Sequence, residues 1–179
     1  IIEVKTVFPG SNKDFFDKSS EIKKYFKKVD KAERHYFKNH NYLTNFTSTN
    51  VKMIKQGDLN NLSKKDIEFA INSDIYIVFG SSFITNKWLI NFLIKNKAIN
   101  IHMGLSPFYR GSSCNFWAIN DGKPEYVGAT IHYLSKGLDS GKIIAHCLPN
   151  YKDKNIFNYT MSSVKTAQNC LISLIKSKK

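Results

Sequence analysis

The side chains best suited to chemistry lie between residues 98 and 144 of the chain. Asn100 and His102 lie two positions apart in Ala-Ile-Asn-Ile-His, and Asp139 lies in the turn Gly-Leu-Asp-Ser-Gly. An amide N–H donor, a titratable imidazole and a carboxylate that orients or charges the imidazole are the groups needed to transfer an acyl group to an amine. The three residues therefore favour an enzyme.

The elements around these residues must bring them together. Residues 98–102 are predicted to form a strand. Because side chains alternate along a strand, Asn100 and His102 point to the same face. Asp139 lies in a turn between two further predicted strands, so its position depends on how those strands pair. Taken singly, each residue also fits an ordinary turn or packed position, and only the order of the motifs favours chemistry.

Strand-like and helix-like segments alternate along the chain, which predicts an α/β fold with helices on the faces of a sheet. The other predicted strands cover residues 1–8, 74–79, 126–134 and 142–148. Two predicted helices cover residues 22–37 and 156–175. Two more begin at predicted caps: one at Ser63, which ends near residue 71, and one at Thr85 or Asn86. A fifth runs from Ser112 or Ser113 to about residue 120.

Composition sets limits on the class of protein. A chain of 179 residues with 42% hydrophobic content can bury one good core, so a single domain spanning residues 1–179 is predicted. No apolar run approaches the roughly 20 residues of a membrane span, and no secretory signal is visible, so no membrane association is expected. The three cysteines are an odd number without paired spacing, which argues against a disulfide framework or a metal site and favours the reducing cytoplasm.

The net charge of +13 has two interpretations. A basic surface attracts phosphate groups, and it is also the ordinary solvated surface of a lysine-rich chain. Because the lysines are scattered, a basic nucleic-acid-binding module is only a remote alternative.

The motifs between residues 98 and 144 follow an order that resembles the folate-dependent formyltransferase family. The hallmarks of that family are Asn-x-His-x-Ser-Leu-Leu-Pro and a later Gly-x-Asp-x-Gly turn. They occur here as Asn-Ile-His-Met-Gly-Leu-Ser-Pro at residues 100–107 and Gly-Leu-Asp-Ser-Gly at residues 137–141. Matching groups between them are Tyr-Arg-Gly at 109–111, Phe-Trp-Ala-Ile at 116–119 and Gly-Ala-Thr at 128–130. The replacement of Ser-Leu-Leu by Gly-Leu-Ser argues against a plain purine-pathway enzyme.

The resemblance implies a Rossmann-like α/β fold, with a mostly parallel sheet and helices on both faces. It also implies transfer of a formyl group from N10-formyltetrahydrofolate to a primary amine. Asn100 is then expected to donate its amide N–H to the formyl oxygen. His102 is expected to accept a proton from the amine or to stabilise the oxyanion, and Asp139 to hold His102 or a bridging water.

The same resemblance assigns the folate-binding positions. They are Phe83, Ile84 and Thr85 in one segment, and Ser135, Lys136, Gly137 and Leu138 in another. Simple core packing is the alternative for Phe83 and Ile84.

The stretch from residue 104 to 117 is most similar to the branch that includes methionyl-tRNA formyltransferase-like proteins and enzymes that formylate amino sugars on nucleotides. A full methionyl-tRNA enzyme is expected to carry a further C-terminal RNA-binding domain, whereas this sequence stops at Lys179 after the predicted closing helix, so a small amine such as a nucleotide-linked amino sugar is the expected acceptor. A formyltetrahydrofolate hydrolase of the same fold and a methionyl-tRNA formyltransferase-like protein are the alternatives. The sequence does not fix the oligomeric state.

Near the start of the chain, the sequence departs from the family. No Gly-x-Gly-type turn follows the first predicted strand, so the first β-strand–helix unit of the family is expected to be lost, replaced or outside this sequence.

Three further residues have two interpretations each. His132 alternates with its neighbours so that it either faces the same cleft or packs in the core. Cys114 lies at a predicted helix start, where a thiolate is favoured, although a packing role is preferred. Arg110 either meets a phosphate or carboxylate or braces its loop.

Overall fold

The computed structural model describes residues 1–4, 19–38, 50–150 and 155–177. The strands are β1 (Ile2–Val4), β2 (Met53–Lys55), β3 (Ile77–Phe79), β4 (Ile99–His102), β5 (Ala129–Tyr133) and β6 (Ile143–Cys147). The α-helices are α1 (Ser20–Phe37), α2 (Lys87–Lys95), α3 (Cys114–Asn120) and α4 (Ile156–Lys176). Short 3₁₀ helices cover Asp58–Asn61, Lys65–Ala70 and Pro124–Tyr126. The alternation of strands and helices confirms the predicted α/β class.

The described strands form two sheets. One has the order β3-β4-β5-β6, and the other consists of β1 and β2. The pairs β1–β2 and β3–β4 are parallel, whereas β4–β5 and β5–β6 are antiparallel. The larger sheet is therefore mixed rather than mostly parallel. For β5 and β6 the reason is that they are joined by a turn instead of a helical crossover, and a short connection permits only antiparallel neighbours.

Strand β2 is the described strand that the sequence analysis missed. It contains only three residues, Met53–Lys55, and so short a segment shows no hydrophobic period. It is held by pairing with β1, which is a contact between residues far apart in sequence. Residues 5–8 of the first predicted strand lie outside the described residues.

The start of helix α2 is fixed by a side-chain cap. The Asn86 side chain accepts hydrogen bonds from the backbone N–H groups of Trp88 and Leu89, which decides between the two predicted caps. The predicted cap at Ser63 is wrong. Its hydroxyl and its backbone N–H both donate to the carboxylate of Asp66, and a 3₁₀ helix with no side-chain cap follows.

Helices pack on both faces of the larger sheet. Ile101 of β4 is buried in a cluster with Ala167 and Leu171 of α4. Val78 of β3 packs in a separate cluster with residues of α2, among them Leu89. No helix among the described residues is long and apolar enough to cross a membrane.

The register of β3 and β4 decides which face carries the polar residues. Val78 is paired with Asn100, and paired residues on neighbouring strands project to the same face. Asn100 and His102 therefore project to the face opposite α4.

Candidate active site

Strands β4 and β5 bring four polar side chains together. Their antiparallel register sets Asn100 opposite His132, and His102 opposite Thr130. His102 is 5% exposed and His132 is 1% exposed, so both imidazoles lie in the protein interior rather than on its surface. Buried imidazoles need hydrogen-bond partners, and the surroundings supply them.

The carboxylate of Asp139 lies at the centre of this group. Its Oδ2 atom lies 3.3 Å from His102 Nδ1 and accepts a hydrogen bond of 2.9 Å from the backbone N–H of Gly111. Its Oδ1 atom lies 3.4 Å from Asn100 Nδ2 and 3.8 Å from His132 Nε2. The structure therefore brings the three predicted catalytic side chains together and adds His132 to them.

The turn that carries Asp139 is shaped by a glycine. Asp139 itself adopts a left-handed backbone conformation with φ of 44°. A Cβ atom at Gly141 would lie 1.6 Å from the carbonyl oxygen of Tyr133, so only glycine fits where the turn passes that strand. The second glycine of the Gly-Leu-Asp-Ser-Gly motif thus sets the position of the carboxylate.

The environment of Asp139 favours its ionised form. Burial alone would raise the pKa of this carboxyl group. The hydrogen bond and the charge that a protonated His132 supplies, the N–H of Gly111 and the positive charge that His102 can carry together outweigh burial, and the pKa of Asp139 is lowered. Asp139 is therefore a carboxylate at neutral pH and can stabilise a proton held by either imidazole.

The ring of His102 has one nitrogen fixed and one free to exchange a proton. Its Nε2 lies 2.8 Å from the carbonyl oxygen of Tyr109, which only accepts hydrogen bonds. In the neutral ring, Nε2 therefore carries the hydrogen and Nδ1 carries the lone pair. A proton taken up at Nδ1 faces the Asp139 carboxylate.

The amide of Asn100 is held from two sides. His132 donates from Nδ1 to the carbonyl oxygen of Tyr133 over 2.8 Å, which leaves its Nε2 as an acceptor. That nitrogen accepts an N–H of Asn100 over 3.0 Å, and the Asn100 amide is also 3.4 Å from Asp139. Both N–H groups of Asn100 thus meet protein acceptors here, so donation to a substrate oxygen requires one of them to turn away.

Two backbone groups of the loop between β4 and α3 belong to the site, and sequence reasoning missed both. They are the carbonyl of Tyr109 and the N–H of Gly111. Because residues of nearly every type supply such backbone groups, the sequence does not reveal which ones line a site. The one indirect indication is the glycine of Tyr-Arg-Gly, Gly111, whose φ is 92° in the structure. The loop is anchored by Thr130, whose hydroxyl accepts from Ser106 N–H and donates to the Gly104 carbonyl.

A cavity of about 590 Å³ opens above these residues. Asn100, His102, His132 and Asp139 line it, together with six of the seven predicted folate-binding residues, namely Phe83, Ile84, Ser135, Lys136, Gly137 and Leu138. The seventh, Thr85, is not part of the lining, and its backbone N–H donates to the Asn60 side chain over 2.7 Å. Phe83 is 58% exposed, which argues against simple core packing for that residue.

Cys114 borders the site without being a nucleophile. Its sulfur lies 3.7 Å from His102 Nε2 and is buried. Burial, with the nearby charge of Asp139, raises the pKa of the Cys114 thiol to about 11. The group is a neutral thiol at physiological pH, which agrees with a packing role.

The family model described as formyl transferase matches residues 32–168. Methionyl-tRNA formyltransferase of Clostridioides difficile is 34% identical over 49% of this chain and 27% of its own length. Formyltetrahydrofolate deformylase 1 of Arabidopsis thaliana is 25% identical over 79% of this chain and 42% of its own length. The matched stretches therefore span less than half of these relatives.

Solved formyltransferases have a similar fold. PseJ from Anoxybacillus kamchatkensis, solved with UDP-4,6-dideoxy-4-formamido-L-AltNAc and tetrahydrofolate, superposes with a TM-score of 0.52 and 24% sequence identity. The match covers 68% of this chain and 62% of PseJ. This similarity confirms the Rossmann-like fold expected from the sequence.

Proposed function

The chain belongs to the formyl transferase family, and we propose that it transfers the formyl group of N10-formyltetrahydrofolate to a primary amine of a small acceptor. The observation that carries the proposal is the contact of Asn100, His102 and Asp139 at the wall of one cavity. A positioned amide, an imidazole and an ionised carboxylate are the groups that acyl transfer to an amine needs.

The cavity suits a folate. Its wall combines the exposed apolar side chains of Phe83 and Leu138 with the backbone of the turn at residues 135–138. Apolar side chains can cover the faces of an aromatic ring system while backbone N–H and C=O groups pair with its edge. When bound, the donor supplies an activated formyl carbon attached to a nitrogen that can leave.

His102 and Asp139 are proposed to handle the proton. An amine that attacks a formyl carbon becomes positively charged and must lose a proton. His102 takes up that proton at Nδ1, because its Nε2 already donates to the Tyr109 carbonyl. The ionised Asp139, 3.3 Å from Nδ1, stabilises the imidazolium, and the same proton then passes to the leaving nitrogen.

Asn100 is proposed to stabilise the negative charge on the formyl oxygen. Of its two contacts, the 3.4 Å approach to Asp139 is longer than the 3.0 Å contact with His132. The N–H that faces Asp139 is therefore the one released to the substrate, while His132 keeps the other. Loss of one such donor costs on the order of 3 kcal/mol of transition-state stabilisation in a comparable site.

A nucleotide-linked amino sugar is the acceptor class that we favour. PseJ holds a UDP-linked sugar, and Lys136 in the cavity wall offers a cation for phosphate groups. The net charge of +13 suits the same ligand class. The proposal keeps the cytoplasmic location expected from the cysteines.

A formyltetrahydrofolate hydrolase is the second candidate. The match to a formyltetrahydrofolate deformylase extends over 79% of this chain, and the same three side chains can deliver water instead of an amine. The two reactions differ only in whether an amine accelerates the release of tetrahydrofolate.

The test measures tetrahydrofolate release from N10-formyltetrahydrofolate with UDP-linked amino sugars, with methionyl-tRNA and without an acceptor. Amine-dependent release that is lost in Asp139→Asn supports the transferase, and equal release without an acceptor replaces it by the hydrolase. Asp121→Asn is the matched control, because that carboxylate accepts the Tyr109 hydroxyl outside the polar cluster. No release from a folded protein would contradict both.

A further inference from the structure

The loop that follows β4 passes close to the imidazole of His102. A Cβ atom added at Gly104 would lie 2.7 Å from His102 Nε2, 2.5 Å from Cys114 Cβ and 3.0 Å from Cys114 Sγ. Non-bonded carbon atoms pack at about 3.5–4.0 Å, so no side chain fits at residue 104 while these two neighbours stay in place. The φ of Gly104 is not positive, so this close approach, and not the backbone conformation, requires glycine here.

The space beside His102 Nε2 is filled by the thiol of Cys114. The sulfur lies 3.7 Å from His102 Nε2 and donates to the Gly111 carbonyl over 3.5 Å. Cys114 is 2% exposed, so its side chain also keeps water away from that side of the ring. Because sulfur is a weak acceptor, the thiol does not compete with the Tyr109 carbonyl for the hydrogen on Nε2.

The position of the ring decides which nitrogen exchanges a proton with the cavity. His102 Nε2 lies 2.8 Å from the Tyr109 carbonyl oxygen, and His102 Nδ1 lies 3.3 Å from Asp139 Oδ2. The hydrogen bond at one ring nitrogen sets the protonation of the other. Since both nitrogens belong to one flat ring, a neighbour that displaces the ring disturbs both contacts together.

We propose that Gly104 is a positioning residue for His102: its missing side chain lets the Cys114 thiol close the Nε2 side of the ring, which keeps Nδ1 directed at Asp139. Gly104 has no side chain to touch a substrate and acts only through His102 and Cys114. The inference deepens the proposed function and rests on the assignment of His102 as the group that takes up the proton.

The same contact explains how this chain departs from the family hallmark. The hallmark has serine at the position of Gly104. A serine Cβ would meet the Cβ of Cys114 at 2.5 Å, so the absence of a side chain at 104 and the thiol at 114 belong together. Residues in contact give non-additive effects when both are substituted, and we expect this for Gly104 and Cys114.

The first test observes the His102 ring directly, by ¹⁵N NMR of protein labelled at histidine, without substrates and at a pH where the ring is neutral. His102→Gln assigns the resonances. The parent should carry its hydrogen at Nε2. In Gly104→Ala the added methyl group displaces the ring from the Tyr109 carbonyl, so the hydrogen should be shared between Nε2 and Nδ1. A parent-like His102 spectrum in folded Gly104→Ala protein would overturn the proposal.

Kinetics and two further variants give the second test. We expect Gly104→Ala to lower kcat about a hundredfold, the lower end of what general acid–base catalysis contributes, with KM for donor and acceptor within about twofold of the parent. Gly104→Ala/Cys114→Gly removes the side chain that the new methyl group meets, and should recover part of kcat and the Nε2–H signal. Gly122→Ala is the control: its φ of 68° penalises a side chain, but nothing lies within 4 Å, so the spectrum and kcat should match the parent.

The two readouts distinguish failure of this inference from failure of the proposed function. A displaced ring in Gly104→Ala supports the positioning role, and a parent protein that transfers no formyl group contradicts only the proposed function. Transfer by the parent, with an unchanged ring and kcat in Gly104→Ala, overturns only the positioning role. If Gly104→Ala does not fold, a folded double variant with the parent's His102 resonances supports the pairing with Cys114, and a double variant that also fails to fold overturns it.

Discussion

Two cavities among the described residues differ in how completely the polar groups around them are hydrogen-bonded. Around the first, strands β4 and β5 are paired on both sides, and the side chains of Asn100, His102, His132 and Asp139 contact one another. Around the second, a cavity of about 580 Å³ lined by residues of β1 and β3, each of these two strands pairs with only one other strand among the described residues, and Ile77 and Phe79 are 48% and 43% exposed. The polar side chains of the candidate site are thus hydrogen-bonded to one another, whereas β1 and β3 do not pair with each other.

The first prediction compares the effect of adding one methyl group, by a glycine-to-alanine substitution, in each region. Gly141→Ala drives a Cβ into the Tyr133 carbonyl at 1.6 Å, whereas Gly80→Ala meets nothing within 4 Å. We expect Gly141→Ala to lower the free energy of unfolding by about 3 kcal/mol or more and to abolish activity by displacing Asp139. Gly80→Ala should cost only about 1 kcal/mol for its left-handed φ. Equal urea midpoints for the two variants would contradict the geometry of the turn.

The next prediction tests whether His132 positions Asn100. His132→Leu removes the acceptor of the Asn100 N–H, and a lost hydrogen bond of about 1 kcal/mol predicts a fall in kcat of roughly fivefold with an unchanged KM for the acceptor. His132→Gln supplies a carbonyl oxygen and should recover part of the rate. A Leu variant as fast as the parent, or a Gln variant no better than Leu, would show that His132 only packs.

A smaller effect is the pH dependence of stability contributed by one carboxylate in each region, Asp139 beside the first cavity and Glu3 beside the second. The pKa of Asp139 and the pKa of Glu3 are both lowered: burial raises each, but hydrogen bonds, and for Asp139 also the imidazole charges, outweigh it. A lowered folded-state pKa stabilises the protein above the unfolded pKa of about 4, and this contribution is lost as pH falls through the folded value.

Urea midpoints between pH 3 and 7 measure these contributions. We expect Asp139→Asn to destabilise by about 1 kcal/mol at pH 7, and the deficit to shrink below pH 4. Glu3→Gln should follow the same course with a smaller amplitude, because the donors to Glu3 carry no charge: they are backbone N–H groups, among them those of Gly57 and Ser82, and the Ser82 hydroxyl. A deficit that grows towards acid pH would have the wrong sign for either lowered pKa.

The smallest expected effect concerns Cys114. Because the pKa of Cys114 is raised to about 11, iodoacetamide at pH 7 should modify it far more slowly than the only partly buried Cys170. Mass spectrometry of the alkylated peptides gives both rates. Selective modification of Cys114 with loss of activity would instead indicate a thiolate beside His102.

The side chains of the candidate site could be predicted from the sequence because the proposed chemistry needs particular residue types in a fixed order. Asn100, His102 and Asp139 are residue types with few substitutes for this work, and the turn needs glycine at 141 for steric reasons. The carbonyl of Tyr109 and the N–H of Gly111 could not be predicted, because any residue supplies such groups. His132 was undecided because alternation gives the face of a strand and not the contacts across it.

The fold was predictable to a similar degree. Segments with a clear hydrophobic period, such as α4 and β5, were placed within a few residues of their observed ends. The three-residue β2 and the division into two sheets were not predicted, since both result from pairing between distant residues rather than from local pattern. The predicted cap at Ser63 is wrong because the Ser63 hydroxyl donates to the Asp66 carboxylate instead of accepting a hydrogen bond from a helix amide.

The most direct test of the central claim separates binding from chemistry in Asp139→Asn. The dissociation constant for N10-formyltetrahydrofolate is measured by calorimetry, and the single-turnover rate of formyl transfer is measured with saturating acceptor. The account predicts a dissociation constant within about threefold of the parent and a rate lower by at least about a thousandfold, comparable to the loss of a major charge-stabilising group. An unchanged single-turnover rate in a folded variant would contradict the assignment of Asp139 to the reaction.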